Sequence, residues 1–332
     1  MILALFFSAF LISLLTLFVV IYVSHKYTYF IDCHEENKPQ RFHEIPVPRA
    51  GGVGIIIALS LVLFIPYGLQ LLPSAILAFM SGIFEDFHNS LSVRLRLILQ
   101  IIAGGVAVWL THSVVTYLGL GIVLPYGLGI FFSVFAIVGM MNAINIIDGF
   151  NGLASGVILI ILASFSVISY EHNNIELLSV ISILAGAVFG FFVLVFPKGK
   201  IFLGDGGAYL LGFMVSLIGI SLASEYADVS PWYILSILIY PVWEVIFSII
   251  RKLSIGLSPM KPDKYHIHML IQRNMTNNNP LTALLLLTFM IPHTILSTFY
   301  AHSSMYNIII VSVFIVCYLL LYLYLFRKDS TG

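Results

Sequence analysis

Long apolar runs occupy most of this chain of 332 residues and leave few positions for polar side chains. Hydrophobic residues make up 60% of the chain and charged residues 9%, which excludes a water-soluble domain with a polar exterior. A helix of about 20 apolar residues crosses the roughly 30 Å hydrocarbon layer and satisfies its own backbone hydrogen bonds. The period-2 pattern of a membrane β-barrel is absent. The sequence therefore predicts an all-α, polytopic membrane helical bundle.

The apolar runs also predict the topology. If the first span runs inward from the outside, all fifteen Lys and Arg residues lie on one face, which the positive-inside tendency makes cytoplasmic. We expect one domain over residues 1–332 and about eleven spans, with the chemistry on the cytoplasmic face. The expected spans are 2–23, 51–66, 71–84, 93–111, 128–146, 153–170, 177–196, 206–223, 232–251, 281–299 and 305–326.

Adjacent carboxylates end the third span. Glu85 and Asp86 repel each other at a membrane boundary, so a cation or proton between them and a ligand would explain their presence. A solvated pair of loop acids is the alternative. Arg94 and Arg96 follow within reach of whatever the acids bind, and guanidinium groups match phosphate geometry.

A polar stripe ends the fifth span. Asn142, Asn145 and Asp148 are spaced by three residues, which places them on one face of a helix. Gly149 and Gly152 allow a turn and a close approach of backbone amides to a ligand, and the next helix begins there with free N–H groups. Helix packing in lipid would explain the glycines but not the polar stripe.

Asp205 stands between glycines where the eighth span begins. A carboxylate in that position suits a magnesium ligand that faces a phosphate, and a plain helix N-cap is the alternative. Phe202, three residues earlier, could stack on a base or pack against lipid or core.

Two histidines follow the ninth span. His266 and His268 have no Cys or further His near them in sequence and lie beside lysines, so zinc is disfavoured and contact with phosphate oxygens is favoured. A solvated loop is the alternative. Glu244 is an acid within the ninth span, where pairing inside the bundle or with a backbone donor is expected and a catalytic role is the alternative.

Five stretches together carry a family resemblance. The chain resembles the polyprenyl-phosphate N-acetylhexosamine-1-phosphate transferases, of glycosyltransferase family 4 type, and within them the branch that uses undecaprenyl phosphate and simple N-acetylhexosamine donors. The match runs through most of the chain. The stretches are RFHEIPVPRAGG at 41–52, the acidic pair at 85–86, NAINIIDGFNGLASG at 142–156, IFLGDGGAYLLGF at 201–213 and PDKYHIH at 262–268.

The resemblance implies a reaction and its setting. It implies a Mg²⁺-dependent transfer, with Mn²⁺ as a substitute, of a sugar phosphate from a UDP-N-acetylhexosamine to undecaprenyl phosphate, with release of UMP. N-acetylglucosamine-1-phosphate is the first choice, with N-acetylgalactosamine or a 6-deoxy sugar as alternatives, in the first membrane step of O-antigen or another cell-envelope polysaccharide. The implied location is the bacterial inner (cytoplasmic) membrane, a multi-pass protein in the lipid bilayer with its active site on the cytoplasmic side. A homodimer is compatible with this, and the zero net charge implies no nucleic-acid partner.

The resemblance also implies residue roles, because each of these positions matches a family motif. The implied catalytic residues are Glu85, Asp86, Asp148, His266 and His268. The implied metal ligands are Asp205 and Asp148. The implied substrate-binding residues are Arg49, Arg94, Arg96, Asn142, Asn145, Asn151, Gly152, Leu153 and Phe202. Of these, the resemblance implies that Asn151, Gly152, Leu153 and Phe202 form the uracil pocket.

Three positions depart from the family pattern. Glu85 stands where many members have Asp, Asn151 replaces a common Asp, and Met269 follows His268 where some branches have a third His. The last difference argues against the muramoyl-pentapeptide branch.

Two rival classes were compared with this interpretation. A secondary transporter would place its charged groups near the bilayer midplane rather than at span ends. A CDP-alcohol phosphotransferase would need a denser Asp-rich motif than Gly149 to Gly152 provides.

Overall fold

The fold is a bundle of α-helices. The computed structural model describes residues 1–27, 47–88, 92–258 and 263–331. The helices are α1 Ile2–Tyr27, α2 Gly51–Leu59, α3 Pro66–His88, α4 Val93–Thr111, α5 Tyr126–Ile147, α6 Leu153–Glu171, α7 Ile175–Val195, α8 Gly204–Glu225, α9 Pro231–Ile237, α10 Ile239–Ser254, α11 Ile267–Ile271, α12 Asn279–Phe299 and α13 Ser304–Thr331. A 3₁₀ turn, Ser60–Phe64, continues α2, and a π-helical turn, Gln272–Thr276, continues α11.

Most of these helices can cross a membrane. Within the described ranges, nine are long and apolar enough, namely α1, α3, α4, α5, α6, α7, α8, α12 and α13. The pair α9 and α10 bends by 78° and counts as a tenth span if it crosses as one unit. The segment Gly51–Phe64 is apolar but shorter, about 21 Å at helical rise against a hydrocarbon layer of about 30 Å. The predicted polytopic bundle is confirmed, whereas the count of eleven spans stays a prediction.

Helix α8 lies at the centre of the bundle because small residues let other backbones approach it. A Cβ atom on Gly212 of α8 would lie 2.6 Å from the Met140 carbonyl oxygen of α5, and one on Gly82 of α3 would lie 2.4 Å from the Gly206 amide of α8. Interfaces between membrane helices use such small residues for close packing. The closest approaches of α3 and α5 to α8 therefore depend on glycine.

The antiparallel packing of α3 and α8 separates two ends of the bundle. At one end Asp86 meets the first residues of α8, and at the other the Tyr67 hydroxyl hydrogen-bonds the Ser221 hydroxyl. The end that carries Asp86, Asp148 and Asp205 is called the site face below. The opposite end gathers the acids Glu176, Glu225 and Asp228.

A short backbone pairing attaches the segment before α2 to the start of α8. The Phe202 amide donates to the Pro48 carbonyl at 2.8 Å, and the Gly51 amide donates to the Phe202 carbonyl at 2.8 Å. Arg49 lies between these bonds and is thereby carried to the site face. Residues 41–46 of the first family motif and Pro262 of the last lie outside the described residues.

Candidate active site

The Asp205 carboxylate lies in the first turn of α8 between two arginines. Nη1 of Arg96, on α4, is 2.9 Å from Asp205 Oδ2, and Nη2 of Arg49 is 3.9 Å from Oδ1. The Asp205 side chain is only 14% exposed, which limits the solvent screening of these pairs. A partly buried acid between two guanidinium groups is a charge arrangement suited to phosphate chemistry.

The Asp86 carboxylate caps α8. Its two oxygens accept hydrogen bonds from the backbone N–H groups of Asp205, at 3.0 Å, and Gly206, at 2.9 Å. These are helix N-terminal donors without partners inside the helix, and the helix dipole favours an anion there. Gly204 adopts φ +77°, and a Cβ atom on it would lie 2.7 Å from Asp86 Oδ2. Glycine at 204 therefore makes room for the cap.

Asp148 is the C-terminal cap residue of α5, and its N–H donates to the Ile144 carbonyl at 3.1 Å. Burial raises the pKa of Asp148 well above its ordinary value; the Arg49 charge acts against this rise, and Asp205 and Asp86 add to it. The carboxylates of Asp86, Asp148 and Asp205 are thus near enough to influence one another. Three helices bring them to the same face.

The two histidines stack beside this acidic group. Their rings are nearly parallel, with centroids 5.4 Å apart, and Nε2 of His268 points toward Gly149, next to Asp148. The Phe150 ring meets the His268 ring edge-on at 5.3 Å. Burial lowers the pKa of His268 to about 4, even though the Glu244 carboxylate acts in the opposite direction. His268 is therefore a neutral imidazole at physiological pH.

Three buried polar atoms lack hydrogen-bond partners within the described part of the chain and belong to residues predicted for the site. They are Glu85 Oε2, Arg96 Nε and His268 Nε2. Because buried polar groups are nearly always paired in folded proteins, such atoms are candidates for contact with a ligand.

The asparagines of the polar stripe are bound within the bundle. Asn145 donates to the Tyr209 hydroxyl at 3.1 Å and so joins α5 to α8 one turn beyond Asp205. Asn142 donates to Gln100 Oε1 and to the Val138 carbonyl, both at 2.8 Å. Asn142 thus lies one turn deeper and joins α5 to α4.

The residues predicted for a uracil pocket lie at the start of α6 and beside Arg49. The Asn151 side chain donates to the Pro197 carbonyl at 2.9 Å, and its backbone N–H donates to Asn279 Oδ1 at 2.7 Å. Gly152, at φ +81°, is the N-cap of α6, whereas the Leu153 side chain is fully buried in the core. Phe202 pairs through its backbone with the Arg49 segment. Their role in binding uracil stays a prediction.

The two arginines of α4 differ. Arg96 reaches Asp205, whereas Arg94 is exposed and forms no ion pair with Asp86 or Asp205. A separation of two residues turns a side chain by about 200° around a helix, which accounts for the difference. Of the two arginines, only Arg96 is placed against the carboxylates.

Sequence reasoning predicted a partner for Glu244 but not that this acid holds the histidine loop. Glu244 accepts from the His266 ring and the Ile267 amide, which confirms the expectation of pairing in the bundle and with a backbone donor. Asp263 pairs with Arg251 at 2.8 Å; burial acts to raise the pKa of Asp263, but the Tyr265 amide and Arg251 lower it overall. The presence of an acid inside an apolar span was the only sequence signal for Glu244.

The donor set is compatible with magnesium. Among the residues that the structure describes, no three or more His, Cys, Asp or Glu side chains are grouped as a metal site. Magnesium usually takes one or two protein carboxylates and completes its shell with phosphate oxygens and water. Asp86, Asp148 and Asp205 offer the oxygen donors that such an ion prefers. Binding of the ion by Asp205 and Asp148 stays a prediction.

Sequence comparisons relate the chain to known transferases. The model of the family described as glycosyl transferase family 4 matches residues 69–223. The chain is 29% identical over 330 residues to the undecaprenyl-phosphate alpha-N-acetylglucosaminyl 1-phosphate transferase of Thermotoga maritima, covering 98% of this chain and 97% of that protein. It is 28% identical over 276 residues to a probable undecaprenyl-phosphate N-acetylglucosaminyl 1-phosphate transferase of Bacillus subtilis, covering 78% and 75%. It is 37% identical over 150 residues to the phospho-N-acetylmuramoyl-pentapeptide-transferase of Streptococcus mutans, covering 43% of this chain and 44% of that protein.

Proposed function

We infer from the family-model match and the two transferases matched over most of their length that this chain belongs to the polyprenyl-phosphate N-acetylhexosamine-1-phosphate transferases, and on that premise we propose that it transfers N-acetylglucosamine-1-phosphate from UDP-N-acetylglucosamine to undecaprenyl phosphate. The names of the two relatives matched over most of their length support this acceptor and this sugar. The product would begin an O-antigen or another cell-envelope polysaccharide.

The proposed reaction is one phosphoryl transfer. An oxygen of the lipid phosphate attacks the β-phosphorus of the UDP-sugar and forms a new phosphorus–oxygen bond. The bond from that phosphorus to the bridging oxygen breaks, and UMP leaves with the bridging oxygen. Such transfers depend mainly on positioning and charge stabilisation and need no nucleophilic side chain.

One observation carries the proposal. Asp86, Asp148 and Asp205 come from three helices and meet Arg49 and Arg96 at one end of the bundle. A UDP-sugar fits this arrangement, because guanidinium groups can pair with its phosphate oxygens and carboxylates can bind the metal ion that accompanies a diphosphate. A secondary transporter would hold its charged groups near mid-membrane, whereas these lie at the ends of α3, α5 and α8.

The residues divide the work according to their contacts. Arg96 and Arg49 neutralise phosphate oxygens beside Asp205, and the unpaired His268 Nε2 contacts another phosphate oxygen. Asp86 keeps the start of α8 in place, and with Glu85 it lies near the acceptor phosphate. Mg²⁺, held by Asp205 and Asp148, would supply further charge stabilisation for the diphosphate.

The site face is proposed to be cytoplasmic in a bacterial inner membrane. The segregation of Lys and Arg residues supports this orientation, because positive loops stay on the inside. The UDP-sugar would then reach the site from the cytoplasm and the lipid phosphate from the inner leaflet. A homodimer remains an expectation from the resemblance alone.

A donor-panel assay tests the function. Purified protein in detergent is supplied with undecaprenyl phosphate, Mg²⁺ and, in turn, UDP-N-acetylglucosamine, UDP-N-acetylgalactosamine, a UDP-6-deoxy sugar and UDP-N-acetylmuramoyl-pentapeptide. We expect UMP release with UDP-N-acetylglucosamine, and none when the lipid is omitted or EDTA is added. No UMP from any donor would reject the function, and UMP from the pentapeptide donor alone would reject the proposed sugar.

A further inference from the structure

The buried carboxylate of Glu244 anchors the histidine loop. It is 1% exposed, and its Oε1 accepts from His266 Nδ1 at 2.9 Å and from the Ile267 amide at 3.1 Å. Its Oε2 accepts from the Tyr318 hydroxyl of α13 at 2.8 Å. Three donors on two oxygens match a carboxylate, which only accepts hydrogen bonds.

These contacts constrain both the side chain and the backbone of the loop. Because the carboxylate accepts from Nδ1 of His266, that nitrogen carries the proton, and Nε2 remains for another partner. The Ile267 amide is the first N–H of α11, so the same oxygen also caps that helix. His268 follows two residues later with its ring stacked on that of His266. The direction of His268 Nε2 thus depends on Glu244.

A second contact from α10 supports the same placement. Tyr240 precedes Glu244 by four residues and therefore lies on the same face of α10. Its hydroxyl is 3.5 Å from His268 Nδ1, on the side of the ring away from the unpaired Nε2. One face of α10 therefore contacts Nδ1 of both histidine rings, His266 through Glu244 and His268 through Tyr240.

We propose that Glu244 is a positioning residue that orients His266 and directs Nε2 of His268 toward the carboxylates of the site face. This role rests on the proposed transferase function. Stability alone is a poor explanation for this acid, because desolvating a carboxylate costs free energy and an apolar residue of similar size often serves a buried position as well or better. The cost is explained if the carboxylate is needed to set the histidine geometry.

Two substitutions separate geometry from charge. In Glu244→Gln the amide oxygen still accepts from His266 and Ile267, and the amide nitrogen can donate to Tyr318. We expect it to keep at least about a tenth of wild-type kcat, since a neutral hydrogen bond is roughly half as strong as a charged one. Glu244→Leu removes the anchor and should lower kcat about 100-fold through misplacement of the histidines, with KM for the UDP-sugar nearly unchanged.

The matched control is Ser248→Ala, one turn further along the same face of α10 and also buried. It should keep wild-type activity per folded molecule. Wild-type kcat in Glu244→Leu, or an equal loss in the Gln and Leu variants, would overturn the proposal.

A double-mutant cycle asks whether Glu244 acts through His266. In a His266→Gln background, Glu244→Leu should reduce kcat clearly less than the about 100-fold expected in the wild-type background, because the contact through His266 is already lost and only the contact with the Ile267 amide remains. If the two losses multiply in full, Glu244 acts independently of His266 and the proposal fails.

Histidine labelling tests the placement without turnover. Diethyl pyrocarbonate should modify His266 and His268 slowly in the wild type and in Glu244→Gln, and about tenfold faster in Glu244→Leu, where local opening is easier. The modified fraction of the peptide that contains His266 and His268 is measured by mass spectrometry. Equal rates in all three proteins would overturn the placement. A wild type that turns over no donor but shows the labelling difference would reject the transferase function and leave the placement standing.

Discussion

The guanidinium of Arg96 lies 2.9 Å from the carboxylate of Asp205, and both side chains are largely withdrawn from solvent, at 19% and 14% exposure. The two residues are 109 positions apart in the chain, so the pair exists only when α4 packs beside the start of α8. With Asp86 capping the same helix end, the folded bundle places acids and guanidinium groups in alternation.

Asp205→Asn should lower turnover about 100- to 1,000-fold, in the range found when one electrostatic contact to a transition state is removed. The reason is the loss of charge between Arg49 and Arg96, where the proposed ion binds. UMP release per folded molecule is the measurement. Asp329→Asn, which alters another carboxylate paired with an arginine, Arg273, is the control and should stay active. Near-normal turnover in Asp205→Asn would show that Asp205 has no role in the reaction.

Arg96→Gln should lower kcat/KM about 10- to 100-fold, as expected for a lost hydrogen bond to a charged group. Arg94→Gln should have a much smaller effect, because the Arg94 side chain is exposed and turned away from Asp205. Kinetics of both variants with the same donor make the comparison. Equal losses would mean that the substrate uses both arginines, against the placement in the structure.

Gly204→Ala should destabilise the protein by about 1–3 kcal/mol, the cost of a strained backbone position. Residue 204 has φ +77°, and a Cβ atom there would lie 2.7 Å from Asp86 Oδ2. Gly105→Ala is the matched control, because a Cβ atom on Gly105 meets nothing within 4 Å. Thermal unfolding in detergent should show a lower midpoint for the first variant and an equal or higher one for the second. An unfolding midpoint for Gly204→Ala equal to that of the wild type would contradict the close contact between residue 204 and Asp86.

His268 should make stability fall as the pH falls from about 6.5 toward 4. Its pKa is lowered to about 4 in the folded protein, so only the unfolded chain takes up a proton in that range. Above about 6.5 both states are neutral there, and the effect vanishes. Melting temperatures at several pH values should therefore decline less on acidification in His268→Gln than in the wild type. Parallel curves for the two proteins would show that His268 is not buried as a neutral ring.

Cysteine labelling tests which end faces the cytoplasm. In a background with Cys33→Ser and Cys317→Ser, Asn173→Cys lies exposed at the opposite end and Lys264→Cys lies exposed on the site face. A membrane-impermeant maleimide should label the first in intact cells and the second only after permeabilisation. Labelling of Lys264→Cys in intact cells would reverse the proposed orientation.

Individual residues show how far sequence reasoning reached into the site. The spacing of Asn142, Asn145 and Asp148 predicted one helix stripe, yet the stripe diverges because Asn142 turns to Gln100 and Asn145 to Tyr209. Arg94 and Arg96 looked equivalent until α4 was placed beside α8. Glu244 carried no motif of its own, and its partners became visible only when α10, α11 and α13 met.

The order of residues along the chain is enough to predict a polytopic helical membrane bundle whose chemically suggestive residues lie at the ends of its spans. It could do so because a bilayer demands long apolar runs and tolerates charge mainly at their ends, a requirement that acts locally along the chain. Which of those residues meet depends on how the helices pack in three dimensions. Contacts such as Asp86 with the start of α8, or Glu244 with His266, depend on the close packing of helices distant in sequence, which no local pattern encodes.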